Sequence, residues 1–294
     1  MMSMPDKSSL WLERWPAPAK INLMLRIVGR RSDGYHLLQT VFQFIELCDW
    51  ITFHPTNDGV VRLAKTIPGV PESDDLTVRA GNLLKNTTGC DLGVCIGVEK
   101  NLPMGGGLGG GSSDAATVLV VLNELWGLSL SKAKLMELGL SLGADVPIFV
   151  DGYSSWAEGV GEKIQKIVLP EPFVVVIKPD CHVNTREIFL ADELTRDNKS
   201  IKIADFIAGQ RQNDCLDVVC QRYPSVKDAL VDLSRFSEAR LTGTGACVFA
   251  LFDSEASAAI AYRSLKGKWN AYLSKCVNES PLFSKLKAGG YITE

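Results

Sequence analysis

The sequence predicts an α+β fold divided into two domains, and three observations lead to it. Six glycines in seven positions, Gly105 to Gly111, lie between a segment that alternates like a strand, Leu92 to Glu99, and an apolar helix-forming segment, Ala115 to Trp126. Pro170, Glu171 and Pro172 interrupt the pattern after Leu169, and Phe173 to Lys178 restarts it as a continuous apolar run of the kind found in a buried strand. At 294 residues the chain has room for two domains of ordinary size, each with its own core. The domains are therefore expected at 10–169 and 170–294.

The elements follow in chain order. Met1 to Ser9 is polar and lacks the apolar stretch of a secretory signal, so it reads as a frayed tail before Leu10. Lys20 to Val28 alternates as a strand, Gly29 to Gly34 is a polar turn, and Phe42 to Phe53 is a second strand rich in aromatic and β-branched residues. Asp74 to Lys85 reads as a helix. The apolar helix after the glycines is expected to begin near Ser112, with Ser112, Ser113 and Asp114 as cap candidates. Ser131 to Ser141 is a further helix, capped by Ser129 or Ser131. Beyond residue 170, Ile203 to Ala208, Cys215 to Arg222, Ser225 to Leu233 and Glu255 to Leu265 read as helices, and Cys247 to Phe252 as a second buried strand.

Composition narrows the class of function. Apolar residues make up 46% and charged residues 22%, the balance of a globular chain, and the net charge of −3 gives no electrostatic footprint for nucleic acid or an acidic membrane. No apolar run reaches the roughly eighteen to twenty residues of a membrane helix, so a soluble protein is expected. Eight cysteines occur without a C-x-x-C pair beside only three histidines, so metal-ligand spacing is missing and no metal ligand is assigned. Reduced core cysteines in the cytoplasm are the preferred reading.

Glycine leaves no Cβ in the way and accepts positive φ, so a run of glycines lets consecutive amides turn toward one anion, and a helix N-terminus adds its unpaired N–H groups. The Gly105 to Gly111 run is therefore read as a phosphate loop. A flexible linker fits poorly between two core elements so closely joined. A P-loop of the G-x-x-x-x-G-K-[ST] kind is excluded, because Gly110 and Gly111 precede Ser112 where a lysine is required. Gly105, Gly107 and Gly110 satisfy G-x-G-x-x-G with Glu124 about twenty residues on, but Glu124 falls inside the helical run rather than after a second strand.

Three segments together, Pro18-Ala19-Lys20-Ile21-Asn22-Leu23, the glycine loop, and Leu241-Thr242-Gly243-Thr244-Gly245-Ala246-Cys247, resemble the GHMP kinases. Within that family the pattern is most similar to the branch that acts on 4-diphosphocytidyl-2-C-methyl-D-erythritol, through Gly34-Tyr35-His36, the whole Pro103 to Ser113 loop and Gly143-Ala144-Asp145-Val146-Pro147. The resemblance runs from about Pro16 to Leu251. It implies an N-terminal domain of the ribosomal protein S5 domain 2-like type, a C-terminal ferredoxin-like domain and an active site in the cleft between them. It further implies that ATP, with Mg²⁺, phosphorylates the 2-hydroxyl of that cytidyl substrate in the non-mevalonate route to isoprenoid precursors. The partners expected are this small molecule, with no nucleic acid and no membrane, and the chain is expected as a monomer or weak homodimer.

The resemblance also implies site residues. Asp145, which alone reads as a turn aspartate before Pro147, becomes the general base for the substrate hydroxyl. Lys20 is placed beside it, where an ammonium holds the carboxylate ionised and offsets charge near the γ-phosphate. Asn22, two residues along and so on the same strand face, pairs with Lys20 to position the acceptor. Tyr35 is implied to stack on the cytosine, His36 to hydrogen-bond it, and Phe189 to cover its other face, with Thr185 of the same Asn184 to Phe189 segment also on the substrate. Phe189 reads equally well as core. Pro103, Gly105, Gly106, Gly107, Leu108, Gly109, Gly110 and Gly111 are implied to hold the ATP phosphates, with Ser112 and Ser113 near phosphate or Mg²⁺ and Lys100 reaching the nucleotide. Asp75 is given no role. Thr242 to Ala246 is read as a second glycine turn facing substrate phosphates, or as a plain tight turn before a strand.

Three other readings stay open at this level. A family kinase for homoserine, mevalonate or a sugar would bury Tyr35, His36 and Phe189 away from the acceptor pocket. An NAD-type oxidoreductase would follow the loop helix with a strand ending in an acid. A non-catalytic nucleotide-binding module would keep Asp145 and Lys20 apart.

Overall fold

The computed structural model describes residues 7–32 and 34–292. Of the polar start expected to fray, residues 1–6 lie outside the described residues, and a 3₁₀ helix, Lys7–Leu12, begins immediately after them with Leu10 fully buried. Two long strands follow, β1 (Trp15–Arg30) and β2 (His36–Thr56), antiparallel and interrupted by register shifts at Pro18/Ala19, Asn22/Met24 and Ile27/Gly29. Then come β3 (Val61–Leu63), α1 (Leu76–Thr88), β4 (Gly93–Glu99), α2 (Gly110–Leu125), α3 (Lys132–Leu142), α4 (Val146–Asp151), β5 (Ser155–Gly159) and β6 (Lys163–Lys166). The second half comprises β7 (Phe173–Lys178), α5 (Thr185–Leu190), α6 (Ile203–Ile207), α7 (Leu216–Arg222), α8 (Pro224–Ser234), β8 (Ala239–Leu241), β9 (Val248–Phe252), α9 (Glu255–Leu265), β10 (Asn270–Val277) and α10 (Pro281–Ala288).

Helices α1 and α2 start where local sequence does not place them, whereas α3 takes one of its two expected caps. Helix α2 starts at Gly110 rather than near Ser112, and its N-cap is Gly109 in the left-handed region, φ 76°. Ser112, Ser113 and Asp114 are therefore the third to fifth residues of the helix, and none of them caps it. Asp75 supplies a cap elsewhere: its carboxylate accepts the Thr77 amide at 2.8 Å and so starts α1. Ser131 caps α3, accepting from the Lys134 amide at 3.2 Å. The short elements β5, β6, β8, α4, α5 and α10 carry too little periodicity to stand out in the sequence, and β10 alternates weakly because most of its side chains are half-buried.

The strands form one path, β3-β4-β2-β10-β7-β9-β8, with β1 and β5 both paired to β2. Strand β10 joins the halves, pairing β7 from Asn270 to Lys275 and then β2 through Cys276 and Val277. One core lies under α1 to α4 and includes Phe44, Phe53, Leu119 and Phe149. A second lies between β7/β9 and α7 to α9, and a third, with Ile21, Met24, Val174 and Phe249, fills the space where β1 and β2 meet the second half. The chain then returns. Leu282, Phe283 and Leu286 of α10 are buried in the first core, so this last helix belongs with the N-terminal half and not with the unit expected over 170–294.

The return is seated at Gly152, whose φ of 80° favours glycine and where a Cβ would lie 2.4 Å from the Phe283 ring. Gly152→Ala is expected to cost about 1–3 kcal/mol by strain and overpacking, and Phe283→Ala about 3 kcal/mol by cavity formation. Denaturant unfolding checks both. Losses under half a kcal/mol would show that α10 is dispensable to the first core.

Candidate active site

Strand β1 puts Lys20 and Asn22 on one face, and both are buried. The Lys20 ammonium donates to Asn22 Oδ1 at 2.6 Å and to the Gly107 carbonyl at 3.1 Å, and it lies 3.3 Å from Asp145 Oδ2. Its side chain is 3% exposed, so nearly all of its hydration is replaced by these partners, whereas the Asp145 side chain is 38% exposed and open to a ligand. Asn22 is itself fixed: its Nδ2 donates to Thr40 Oγ1 at 2.8 Å, and its backbone N–H donates to Thr242 Oγ1 at 3.0 Å. The Lys20 backbone N–H donates to the Leu108 carbonyl at 3.0 Å, tying strand β1 to the glycine loop. Asp145 occupies the N-cap position of α4, with Pro147 in the first turn setting the chain direction.

The glycine run is used residue by residue. Gly105, Gly107 and Gly109 have φ of 64°, 77° and 76°, alternating with residues of negative φ, the pattern that turns successive amides inward. A Cβ at Gly107 would stand 2.6 Å from the Thr242 carbonyl oxygen, and one at Gly109 would stand 2.7 Å from the Phe149 ring. A nucleotide-sized cleft of about 380 Å³ opens here, lined by Pro103, by the loop from Gly105 to Ser112, and on the other side by Ile67, Val70 and Leu76. Ser112 lines it, half-buried. Ser113 does not: its side chain is fully buried, its Oγ has no hydrogen-bond partner, and its amide donates to the Gly109 carbonyl at 2.8 Å. The structure thus keeps Ser113 behind the loop rather than at the cleft.

Lys100 lines the same cleft, but its ammonium is held between two carboxylates, Asp49 and Asp114, the latter at 2.7 Å. Asp49 also accepts the Asn101 amide at 2.6 Å and the Leu102 amide at 2.7 Å, so it anchors the chain where it enters the loop. The cluster is not read from sequence: Asp114 reads there only as a cap candidate, and Asp49 has no reading at all. The available signal was Asp49 standing among the aromatic and apolar residues of β2, since a charge inside a buried strand needs a partner. Burial opposes the charge on Lys100, yet Asp114 and Asp49 override it and raise the lysine above its ordinary value. No group of three or more His, Cys, Asp or Glu side chains suited to a metal occurs among the described residues.

A second, larger cleft of about 800 Å³ contains Lys20, Asn22, Tyr35, His36, Thr185 and Phe189 among its walls. Tyr35 is 64% exposed in it. His36 and Phe189 stack, ring centroids 4.9 Å apart and planes inclined by 23°. Phe189 both lines this cleft and packs on the second core. Burial, with Arg196 and Arg30 adding to it, holds His36 below its ordinary value of 6.5, and its buried Nε2 has no partner. Thr185 and Thr244 share a hydrogen bond of 2.8 Å between their hydroxyls, and Asn213 pins the second glycine turn by donating to the Leu241 and Gly243 carbonyls at 3.0 and 2.8 Å. The two clefts share three residues, Gly107, Ser112 and Asp145.

Two open clefts that meet at one carboxylate beside a buried ammonium can align a donor with an acceptor, the arrangement that phosphoryl transfer needs. The GHMP kinases N terminal domain model matches residues 75–153 and the GHMP kinases C terminal model matches residues 190–271. The chain belongs to the GHMP kinase family, whose phosphate donor is ATP. It is 57% identical over 274 residues to the 4-diphosphocytidyl-2-C-methyl-D-erythritol kinase of Methylococcus capsulatus, covering 93% of this chain and 94% of that protein. It is 52% identical to the kinase of the same name from Nitrosococcus oceani over 94% of this chain and 99% of that one. A crystal structure of 4-(cytidine 5'-diphospho)-2C-methyl-D-erythritol kinase superposes with a TM-score of 0.79 at 30% identity, covering 90% of this chain and 99% of that one. A mevalonate kinase shares the fold, with a TM-score of 0.66 at 16% identity over 91% of this chain and 100% of that one.

The Asp49–Lys100–Asp114 cluster has a measurable signature. Burial, opposed by Lys100 and reinforced by Asp49, raises the Asp114 carboxyl from 3.8 to about 7. A raised folded value means that this group's stabilisation is complete below 3.8 and is lost as pH rises through about 7. Asp114→Asn is therefore expected to compare better with the parent protein at roughly pH 8 than at roughly pH 5, read from denaturant unfolding at both. A pH-independent difference would contradict the buried charge excess.

Proposed function

We propose that this chain transfers the γ-phosphoryl group of ATP to the 2-hydroxyl of 4-diphosphocytidyl-2-C-methyl-D-erythritol, a step of the non-mevalonate route to isoprenoid precursors. The observation that carries this reading is the junction of the two clefts at Gly107, Ser112 and Asp145, with Lys20 3.3 Å from the Asp145 carboxylate. Phosphoryl transfer asks a protein for alignment and charge stabilisation far more than for covalent chemistry, and a junction between donor and acceptor clefts provides alignment.

In this account Asp145 accepts the proton of the acceptor hydroxyl, being the carboxylate open to both clefts. Lys20 keeps that carboxylate ionised and offsets negative charge building on the transferred group, while Asn22 holds the ammonium in place through its 2.6 Å hydrogen bond. Pro103 and the amides of Gly105 to Ser112 cradle the donor phosphates. Lys100 acts from its place between two carboxylates, shaping the cleft wall rather than moving freely onto the phosphates. Ser112, at the loop end of the smaller cleft, would hold Mg²⁺ together with the donor phosphates. When bound, the ion neutralises phosphate charge.

The acceptor's base is assigned to the Tyr35, His36 and Phe189 end of the larger cleft, with Thr185 at its other end. Aromatic faces suit a flat pyrimidine, and His36 lines the same end of the cleft, where an imidazole can meet the edge of the base. No helix among the described residues is long and apolar enough to cross a membrane, and all eight cysteines are free, which suits a reducing cytoplasm. The groups assigned to the reaction all come from one chain, so a monomer or weak homodimer suffices. The domain division is proposed to fall near residue 170, with α10 returned to the first unit.

The test is ATP consumption with Mg²⁺ and the cytidyl substrate, beside homoserine and mevalonate, for the parent protein and Asp145→Asn. Turnover with the cytidyl substrate alone, lowered about 10²-fold or more in the variant, is expected for loss of a general base. Activity on another acceptor would keep the kinase and overturn the substrate.

A further inference from the structure

We infer that Arg186 recognises the diphosphate of the acceptor, an inference that rests on the acceptor reading above. Helix α5 runs along the larger cleft. At one end Phe189 stacks on His36, the end assigned to the base. At the other, Thr185 is hydrogen-bonded to Thr244, and a Cβ on the neighbouring Gly243 would lie 3.4 Å from Asn22 Oδ1, beside the reactive carboxylate. The cytidyl acceptor has the same order: base and ribose, then diphosphate, then the alcohol that is phosphorylated. Its charge must lie between the two ends of α5, and that is where Arg186 faces the cleft. Arg186 and Phe189, three residues apart, share one helix face with a rise of about 4.5 Å between them.

The charge balance of the cleft supports the same residue. Its charged walls are Lys20, Arg30, Arg186 and Asp145. Lys20 is committed to Asn22, Gly107 and Asp145. Arg30 donates from Nε to the Gly34 carbonyl at 3.3 Å and acts on His36, so it belongs to the base end. The guanidinium of Arg186 has no hydrogen bond or ion pair among the described residues; only its backbone amide is engaged, donating to Asn184 Oδ1 at 3.0 Å. A diphosphate leaving water needs compensating charge, and a guanidinium meets two of its oxygens at once through parallel N–H bonds. Lysine would supply charge without that fork.

The experiment compares cytidine diphosphate with cytidine as calorimetric ligands for the parent protein, Arg186→Ala and Arg186→Lys, with steady-state KM values for the cytidyl substrate and for ATP. The parent is expected to prefer the diphosphate. In Arg186→Ala that preference should fall about tenfold or more with cytidine affinity unchanged, the size expected for a charge-assisted hydrogen-bonded pair. Acceptor KM should rise while ATP KM stays, and Arg186→Lys should recover part of the loss. An Arg186→Ala protein that keeps the parent's diphosphate preference overturns the role of Arg186 and leaves the acceptor reading intact. A parent protein that binds neither ligand and turns over no cytidyl substrate overturns the acceptor reading, and the role of Arg186 with it.

Discussion

One buried ammonium ties this structure together. Lys20 reaches from β1 to Asn22 on its own strand, to the Gly107 carbonyl of the glycine loop and to Asp145 at the start of α4. An isolated buried ammonium would cost several kcal/mol, so the three segments that satisfy it are held in register by the need to do so. The backbone repeats the connection, since the Lys20 amide is bonded to the Leu108 carbonyl. The glycine loop, strand β1 and the Asp145 carboxylate therefore share one anchor, and displacement of any of them leaves charge unpaired.

The sheet serves that anchor. Strand β1 is buried along most of its length because β2 covers one edge and the third core packs it against the second half. Strand β10 pairs with β7 and then with β2, and α10 returns to the first core, so the last part of the chain fastens the two halves across the cleft. The second glycine turn completes the enclosure: Thr242 accepts the Asn22 amide, and Asn213 holds the turn from behind.

Much of this was legible in the sequence wherever pattern is local. Alternation marked β1 and β2, the run of valines marked β7, and six glycines between two core elements marked a loop that takes positive φ at Gly105, Gly107 and Gly109. The two-residue spacing of Lys20 and Asn22 already placed them on one strand face. What stayed hidden is made by contacts distant in sequence. Lys100 looked free to reach a ligand because Asp49 lies 51 residues away, and Ser113 looked available because nothing local shows that α2 begins two residues earlier and turns it inward. The role of Asp75 as a cap and the return of α10 are likewise visible only once α1 and the first core exist.

The central claim is that two separate clefts meet at a single carboxylate. It is tested most directly by titrating the cytidyl substrate into the protein with and without a saturating non-hydrolysable ATP analogue. The account predicts a ternary complex, with substrate affinity changed by no more than about tenfold, the coupling expected between adjoining sites. An apparent Kd that rises in proportion to the analogue concentration would mean that both ligands occupy one cleft, and the account would be wrong.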